Sequence, residues 1–262
     1  MCTGISFCIH AIVPVMEHPE ILLIDKPSGM TSFDVVYKVR RALNPKPKKD
    51  EVSSDSEPWV RLRVGHAGTL DPLATGLMII GVGKGTKKLT ELVKLDKEYI
   101  AEVRIGESRT TGDLEGDIVQ EADVEPIPAE EITSAVASLV GTIRLSVSAY
   151  SAIKIDGKPM YKRAREAEKT GEIVTDVPMR DMVVHEAEVV NIKNTIIYDS
   201  EEYEKRRVVV TVRFFVASGV YIRSLGEELG KRLGYPATLQ NLRRTRVGEF
   251  DVKDAQSLKK LG

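Results

Sequence analysis

The stretch Gly65-His66-Ala67-Gly68-Thr69-Leu70-Asp71-Pro72-Leu73-Ala74-Thr75-Gly76 leads straight into the apolar run Leu77-Met78-Ile79-Ile80-Gly81-Val82. That run shows no polar alternation, the pattern of a strand buried on both faces. The twelve residues before it read as a loop feeding the strand. Gly65, Gly68 and Gly76 allow positive φ or close backbone approach. Pro72 pushes Asp71 toward an extended conformation and brings no N–H to compete for its carboxylate. An isolated Asp-Pro usually only opens a turn. Here three glycines, a histidine and two threonines surround it, so the reading is an acid held rigidly at the mouth of a cleft.

Working outward, residues 20–25 (E-I-L-L-I-D) form a short apolar run closed by Lys26-Pro27-Ser28-Gly29, a strand and then a turn. Ser32 is placed to cap a helix reaching about Leu43, with Phe33, Val36, Val39 and Leu43 at helical spacing. Residues 44–58 hold three prolines and no apolar period, and read as a solvated insert on a loop. A short helix is expected over 86–93, then a strand on which Tyr99, Ala101, Val103 and Ile105 share one face. Residues 107–131 are acidic and turn-rich. Pro128 opens a helix over 129–140, followed by a strand at 141–147 and a basic helix over 159–170. Two β-branched strands at 182–198 and 206–217 and a helix over 221–233, ended by Gly234, complete the pattern. Helices interspersed among many strands give an α+β class and leave the topology open.

With 38 Lys and Arg against 39 Asp and Glu, the 262-residue chain carries a net charge of -1, and 42% of it is hydrophobic. That balance excludes a disordered chain and a wholly basic nucleic-acid binder, while leaving room for a local basic surface. No run reaches the roughly 18 apolar residues of a membrane span. Cys2 and Cys8 are too few to staple a domain of this size, which points to a reducing cytoplasm. Only His10 lies near them, so no metal site is expected. Residues 1–15 read as an extension or a mis-assigned start, because Met16 stands just before the first strand. Gly81-Val82-Gly83-Lys84-Gly85-Thr86 departs from a phosphate loop, since Gly85 follows the lysine, and from a dinucleotide fingerprint, since Thr86 takes the third glycine position.

The twelve-residue loop closely resembles the catalytic motif of the TruB family of tRNA pseudouridine synthases. Other family-like segments stand in the family's order: L-L-I-D-K-P-S-G-M-T-S (22–32), K-E-Y (97–99), S-A-Y-S-A-I-K (148–154), G-V-Y-I-R-S-L (219–225) and L-R-R (242–244). The resemblance spans about residues 20 to 255. It implies a pseudouridine synthase fold, a large, mostly antiparallel mixed β-sheet flanked by helices with a central RNA-binding cleft. It also implies isomerisation of uridine to pseudouridine in the tRNA T loop (conventional position 55), without a cofactor. The enzyme would be a cytoplasmic monomer whose partner is the tRNA T stem-loop, with no membrane and no protein partner required.

By the same resemblance Asp71 is the nucleophile, Tyr99 lies against the target base and helps handle its C5 proton, and Arg223 pairs with the nucleophile. Tyr221 and Leu242 line the base pocket, and His66 enters the RNA loop in place of a flipped base. Lys26 and Pro27 read as support for the motif. Departures from the family pattern are Val220 in place of a threonine and Val147 where a proline often stands. The catalytic domain is expected over 20–255, after an extension at 1–19, with an insert at 44–60, a thumb-like RNA-binding segment at 148–178 and a tail at 256–262. No C-terminal PUA domain is expected, the part that a guide-RNA-dependent relative uses to hold its guide. That relative and a non-catalytic tRNA-binding or folding module are the alternatives.

Three basic clusters offer RNA contacts: residues 154–169 with Lys154, residues 243–246 with Arg243 and Arg244, and Arg40, Arg41, Lys46, Lys48 and Lys49. The first two adjoin the motifs and are expected to meet phosphates. Residues 46–49 read as a solvated face. Residues 113–131 hold many acids and no Lys or Arg.

Overall fold

A computed structural model of the chain describes residues 19–44, 61–148, 150, 153–155, 157–170, 177–200 and 203–261. Residues 1–18 of the extension, 45–60 of the insert, and 149, 151, 152, 156 and 171–176 of the thumb-like segment lie outside the described residues.

The chain opens with β1 (Ile21–Lys26), α1 (Ser32–Leu43), β2 (Val64–His66) and β3 (Thr75–Val82). A 3-10 turn at Gly83–Lys87 leads to α2 (Leu89–Leu92), β4 (Lys97–Ile105), β5 (Glu107–Arg109) and β6 (Ile118–Glu121). Next come α3 (Ala129–Ala137), β7 (Gly141–Ser146), β8 (Lys154–Ile155), β9 (Lys158–Pro159) and α4 (Met160–Thr170). The C-terminal third holds β10 (Met179–Ser200), β11 (Tyr203–Val216), α5 (Ile222–Arg232), β12 (Ala237–Val247), β13 (Phe250–Asp251) and β14 (Gln256–Ser257).

Ten of the described strands join one mixed sheet in the order β14-β1-β3-β12-β4-β11-β10-β7, with β2 on β3 and β13 on β12. Its pairings are antiparallel except β1 with β14 and β12 with β3. The mostly antiparallel mixed sheet is therefore as expected. β3 is covered on both sides: Met78 and Ile80 join the main core, while Leu77 and Ile79 join a second apolar cluster with Ala67 and Val247. That double burial explains its unbroken apolar sequence. β4 buries Tyr99, Ala101, Val103 and Ile105 on one face, and its other face carries Glu98, Glu102 and Arg104 in cross-strand polar contacts. α5 buries Leu225 and Leu229 completely in the main core.

Several elements differ from the sequence reading. Helix α1 is capped by Thr31, whose side chain and Asp34 form a reciprocal capping box, while Ser32 turns inward. The buried face of α1 is Val35, Val36 and Val39, and Phe33 is 65% exposed. The acidic stretch contains the β5–β6 hairpin, and the basic 243–246 cluster belongs to a central strand, β12. β10 is longer at both ends than its apolar core, and β11 begins three residues earlier than its own.

Candidate active site

The loop between β2 and β3 is tied down almost residue by residue. Ser32 Oγ donates to the Leu70 carbonyl (2.9 Å) and accepts from the Leu70 N–H (2.8 Å). The Pro72 carbonyl accepts from the Gly29 N–H (2.8 Å) and from Lys26 Nζ (3.1 Å), and Ser28 Oγ donates to the Leu73 carbonyl (3.1 Å). Lys26, Ser28, Gly29 and Ser32 thus grip residues 70–73, while the Pro27 carbonyl accepts from Lys26 Nζ. Lys26 is fully buried, and burial depresses its pKa to about 8, against the opposing pull of Glu115 and Asp71.

A second grip comes from β12. Arg244 is fully buried, and its guanidinium donates to the carbonyls of Leu77 (2.7 Å), Gly68 (3.2 Å) and Thr69 (3.4 Å). Gly76 has φ +104 and lies so close to Arg244 that a Cβ there would sit 2.2 Å from the Arg244 carbonyl oxygen. Glycine is required at that crossing. The expectation that Arg244 meets phosphate is therefore corrected: its donors are used inside the protein. Arg243, next to it, faces outward, half-exposed, in a bidentate pair with Asp25 at 3.1 and 2.9 Å.

Held this way, Asp71 presents a carboxylate whose side chain is 33% exposed. Arg223, near the start of α5, meets it with Nε 3.0 Å from Oδ2. The guanidinium is itself fixed, donating to the Thr111 carbonyl (2.7 Å), Ser148 Oγ (2.9 Å) and the Tyr150 carbonyl (3.2 Å). Asp113, 3% exposed, stands 3.9 Å from the same Nε. Partial desolvation by the cleft walls raises the Asp71 pKa, Arg223 opposes that rise, and the like charge of Asp113 adds to it.

Asp113 is the residue that sequence reasoning missed. It stands in the acidic stretch 113–131, yet it is buried and accepts from Thr111 Oγ1 (2.5 Å) and the Glu115 N–H (3.1 Å). Its signal was present in Thr110-Thr111-Gly112-Asp113-Leu114-Glu115-Gly116, an acid bracketed by threonines and glycines as Asp71 is.

Tyr99 and Leu242 are buried and share the main core, against which Tyr221, the N-cap of α5, is partly buried. His66 ends β2, opposite Ile80, with a buried Nδ1 that has no hydrogen-bond partner. Burial lowers its pKa from the ordinary histidine value, with the charge of Arg244 adding to the shift. Lys154 begins β8, and its side chain lies outside the described residues. Chemically, the site combines an oriented, ionisable carboxylate with a fixed guanidinium, as covalent or electrostatic catalysis requires. Among the described residues no group of three or more His, Cys, Asp or Glu side chains is arranged for a metal ion, and no helix is long and apolar enough to cross a membrane.

Comparison with known proteins adds to this geometry. Residues 58–222 match the TruB family pseudouridylate synthase (N terminal domain). The chain is 41% identical over 240 residues to "tRNA pseudouridine synthase B" of Corynebacterium efficiens, covering 92% of this chain and 71% of that protein. It is 40% identical over 241 residues to the protein of the same name from Leifsonia xyli subsp. xyli, covering 91% and 70%. Among solved structures, "Structure of H/ACA RNP bound to a substrate RNA containing 2'-deoxyuridine" aligns with TM-score 0.58 and 24% identity over 91% of this chain. "Crystal Structure of a Cbf5-Nop10-Gar1 Complex" aligns with TM-score 0.59 and 24% identity, again over 91%. This chain spans about half the length of those two, 51% and 52%, and the likeness shows the shared fold.

Proposed function

Because the chain belongs to the TruB family of pseudouridylate synthases, we propose that it isomerises uridine to pseudouridine in the T loop of tRNA, at conventional position 55. The observation that carries the reading is the Asp71–Arg223 pair, Nε to Oδ2 at 3.0 Å, set on a loop anchored from two sides.

The reaction breaks the bond from ribose C1′ to N1 of uracil and forms one from C1′ to C5. The proton lost from C5 is balanced by one gained at N1, so there is no net redox change. Asp71 acts as the nucleophile: the Arg223 guanidinium keeps it charged and fixes its direction. Tyr99 lies against the base and assists removal of the C5 proton, and Tyr221 and Leu242 hold the detached ring while it turns. His66 fills the place of the flipped base. Asp113 stands 3.9 Å from the same Arg223 Nε and sets a second negative charge beside the pair.

Incubation with an unmodified T stem-loop RNA, followed by mapping of modified uridines, tests the proposal. Pseudouridine at the single T-loop position is expected. An RNA that binds and stays unmodified would overturn the catalytic reading and favour the non-catalytic RNA-folding module.

A further inference from the structure

We propose that the cavity walled by the last turn of α1, the start of β2 and the Gly83–Lys87 turn is a docking site for a backbone phosphate of the bound RNA. The proposal rests on the reading of the chain as a tRNA-modifying enzyme, and it adds a contact outside the base pocket.

The cavity, about 360 Å³, is lined by Arg40, Arg61, Arg63 and Thr86 around the backbone of Val64 and Gly65. No carboxylate is among the described residues that line it. Arg40 is half-buried and donates from Nη2 to the Val64 carbonyl at 3.2 Å. Its Nε and Nη1 are buried and have no hydrogen-bond partner. Unmade hydrogen bonds from a buried cation are costly, and proteins rarely leave them so. Arg61 and Arg63 are exposed at the mouth, so three guanidinium groups surround one space with no counter-charge among the described residues. A phosphate supplies the missing charge: its oxygens accept from the exposed Arg61 and Arg63 guanidinium groups, and its negative charge offsets the repulsion among the three arginines.

The position favours RNA over a free anion. β2 carries the cavity wall at Gly65 directly into His66 and the anchored loop; at about 3.4 Å per residue, Gly65 and Ala67 are about 7 Å apart. α1 makes the second link. Phe33 is 65% exposed and Tyr37 53% exposed, and at about 100° per residue Phe33, Tyr37 and Arg40 fall within an arc of about 60°. The helix therefore presents two exposed rings and then the cavity, starting from Ser32, which grips the loop at Leu70. Exposed rings stack on bases, and guanidinium groups hold the backbone between them. Lys38, Arg41, Lys84 and Lys87 are exposed around this track and add to its positive field.

The test measures binding of an unmodified tRNA transcript across a salt series. The double variant R61Q/R63Q changes exposed residues whose side chains have no hydrogen-bond or ion-pair partner among the described residues, and should fold normally. It is expected to weaken binding several-fold and to reduce the slope of log K against log[salt] by about 1. The isomerisation rate at saturating RNA should be unchanged. R41Q, on the same helix but outside the cavity, should move the slope less. Unaltered affinity and slope in R61Q/R63Q, or an equal effect from R41Q, would overturn the proposal. So would wild type that is thermally stabilised by inorganic phosphate while the double variant binds RNA as wild type does, since that marks a free-phosphate site. If wild type binds the transcript and makes no pseudouridine, the functional reading fails, and the salt slopes still judge the cavity.

Discussion

At the scale of single residues, Asp71 is subject to opposing influences. Partial burial and the neighbouring Asp113 favour its neutral form, while Arg223 and Lys26 favour the carboxylate. The net direction is upward, so the carboxylate population falls away at a higher pH than for an ordinary aspartate. The acid limb of kcat/KM against pH should therefore lie above the usual aspartate range. Asp113→Asn removes a like charge and should shift that limb to lower pH, even if kcat also falls. An acid limb that stays in place would mean that Asp113 does not act on Asp71 electrostatically. Arg223→Lys keeps the charge but loses the fork that joins Asp71, Thr111, Ser148 and Tyr150. We expect kcat to drop by about 10²-fold with folding intact, measured by single-turnover kinetics and thermal melting.

At the scale of elements, the site depends on β12 running parallel to β3, with Arg244 opposite Gly76. Arg244→Gln removes the donors that meet three loop and strand carbonyls, and should cost about 2–4 kcal/mol in denaturant unfolding. Arg243→Gln breaks only a half-exposed pair with Asp25 and should cost under about 1 kcal/mol. Equal losses would show that the internal role assigned to Arg244 is wrong. Gly76→Ala should destabilise by more than about 2 kcal/mol, because its Cβ meets the backbone of β12. Gly219→Ala, at φ +90 with nothing within 4 Å, should cost about 1 kcal/mol.

These elements also separate what was legible in the sequence from what was not. β3, β4 and α5 could be read because their apolar pattern reports their own burial. β12 could not, since its polar residues Thr238 and Arg244 are fully buried and Arg244 finds its partners some 170 positions away in sequence. The Asp71 loop was legible because glycine, proline and acid crowd into twelve residues. Asp113 was hidden by the acids around it, whose exposure its own burial contradicts. Ser32 was read as a cap because a serine before a helix usually is one; one residue earlier, Thr31 does that work and frees Ser32 for Leu70.

At the scale of the whole molecule, the net charge of -1 results from segregation. Arg206 pairs with Asp123 and Glu125, Arg207 with Glu121, and Arg213 with Glu98, Glu186 and Glu188. The Arg206 and Arg207 pairs set the hairpin against the acidic stretch, and those of Arg213 lie within the hairpin and on β4. Arg40, Arg61 and Arg63 have no carboxylate partner among the described residues, so positive charge gathers around their cavity. A molecule that is neutral on average can thus hold a polyanion at a single place. The chemistry proposed for the molecule belongs to Asp71, on the anchored loop rather than in that basic cavity. The most direct test compares wild type and Asp71→Asn on the same unmodified T stem-loop, recording affinity and pseudouridine formation together. Wild type should convert one loop uridine, while the variant binds within a few-fold and is slower by on the order of 10⁴-fold or more; pseudouridine formed by the variant at the wild-type rate would contradict the account.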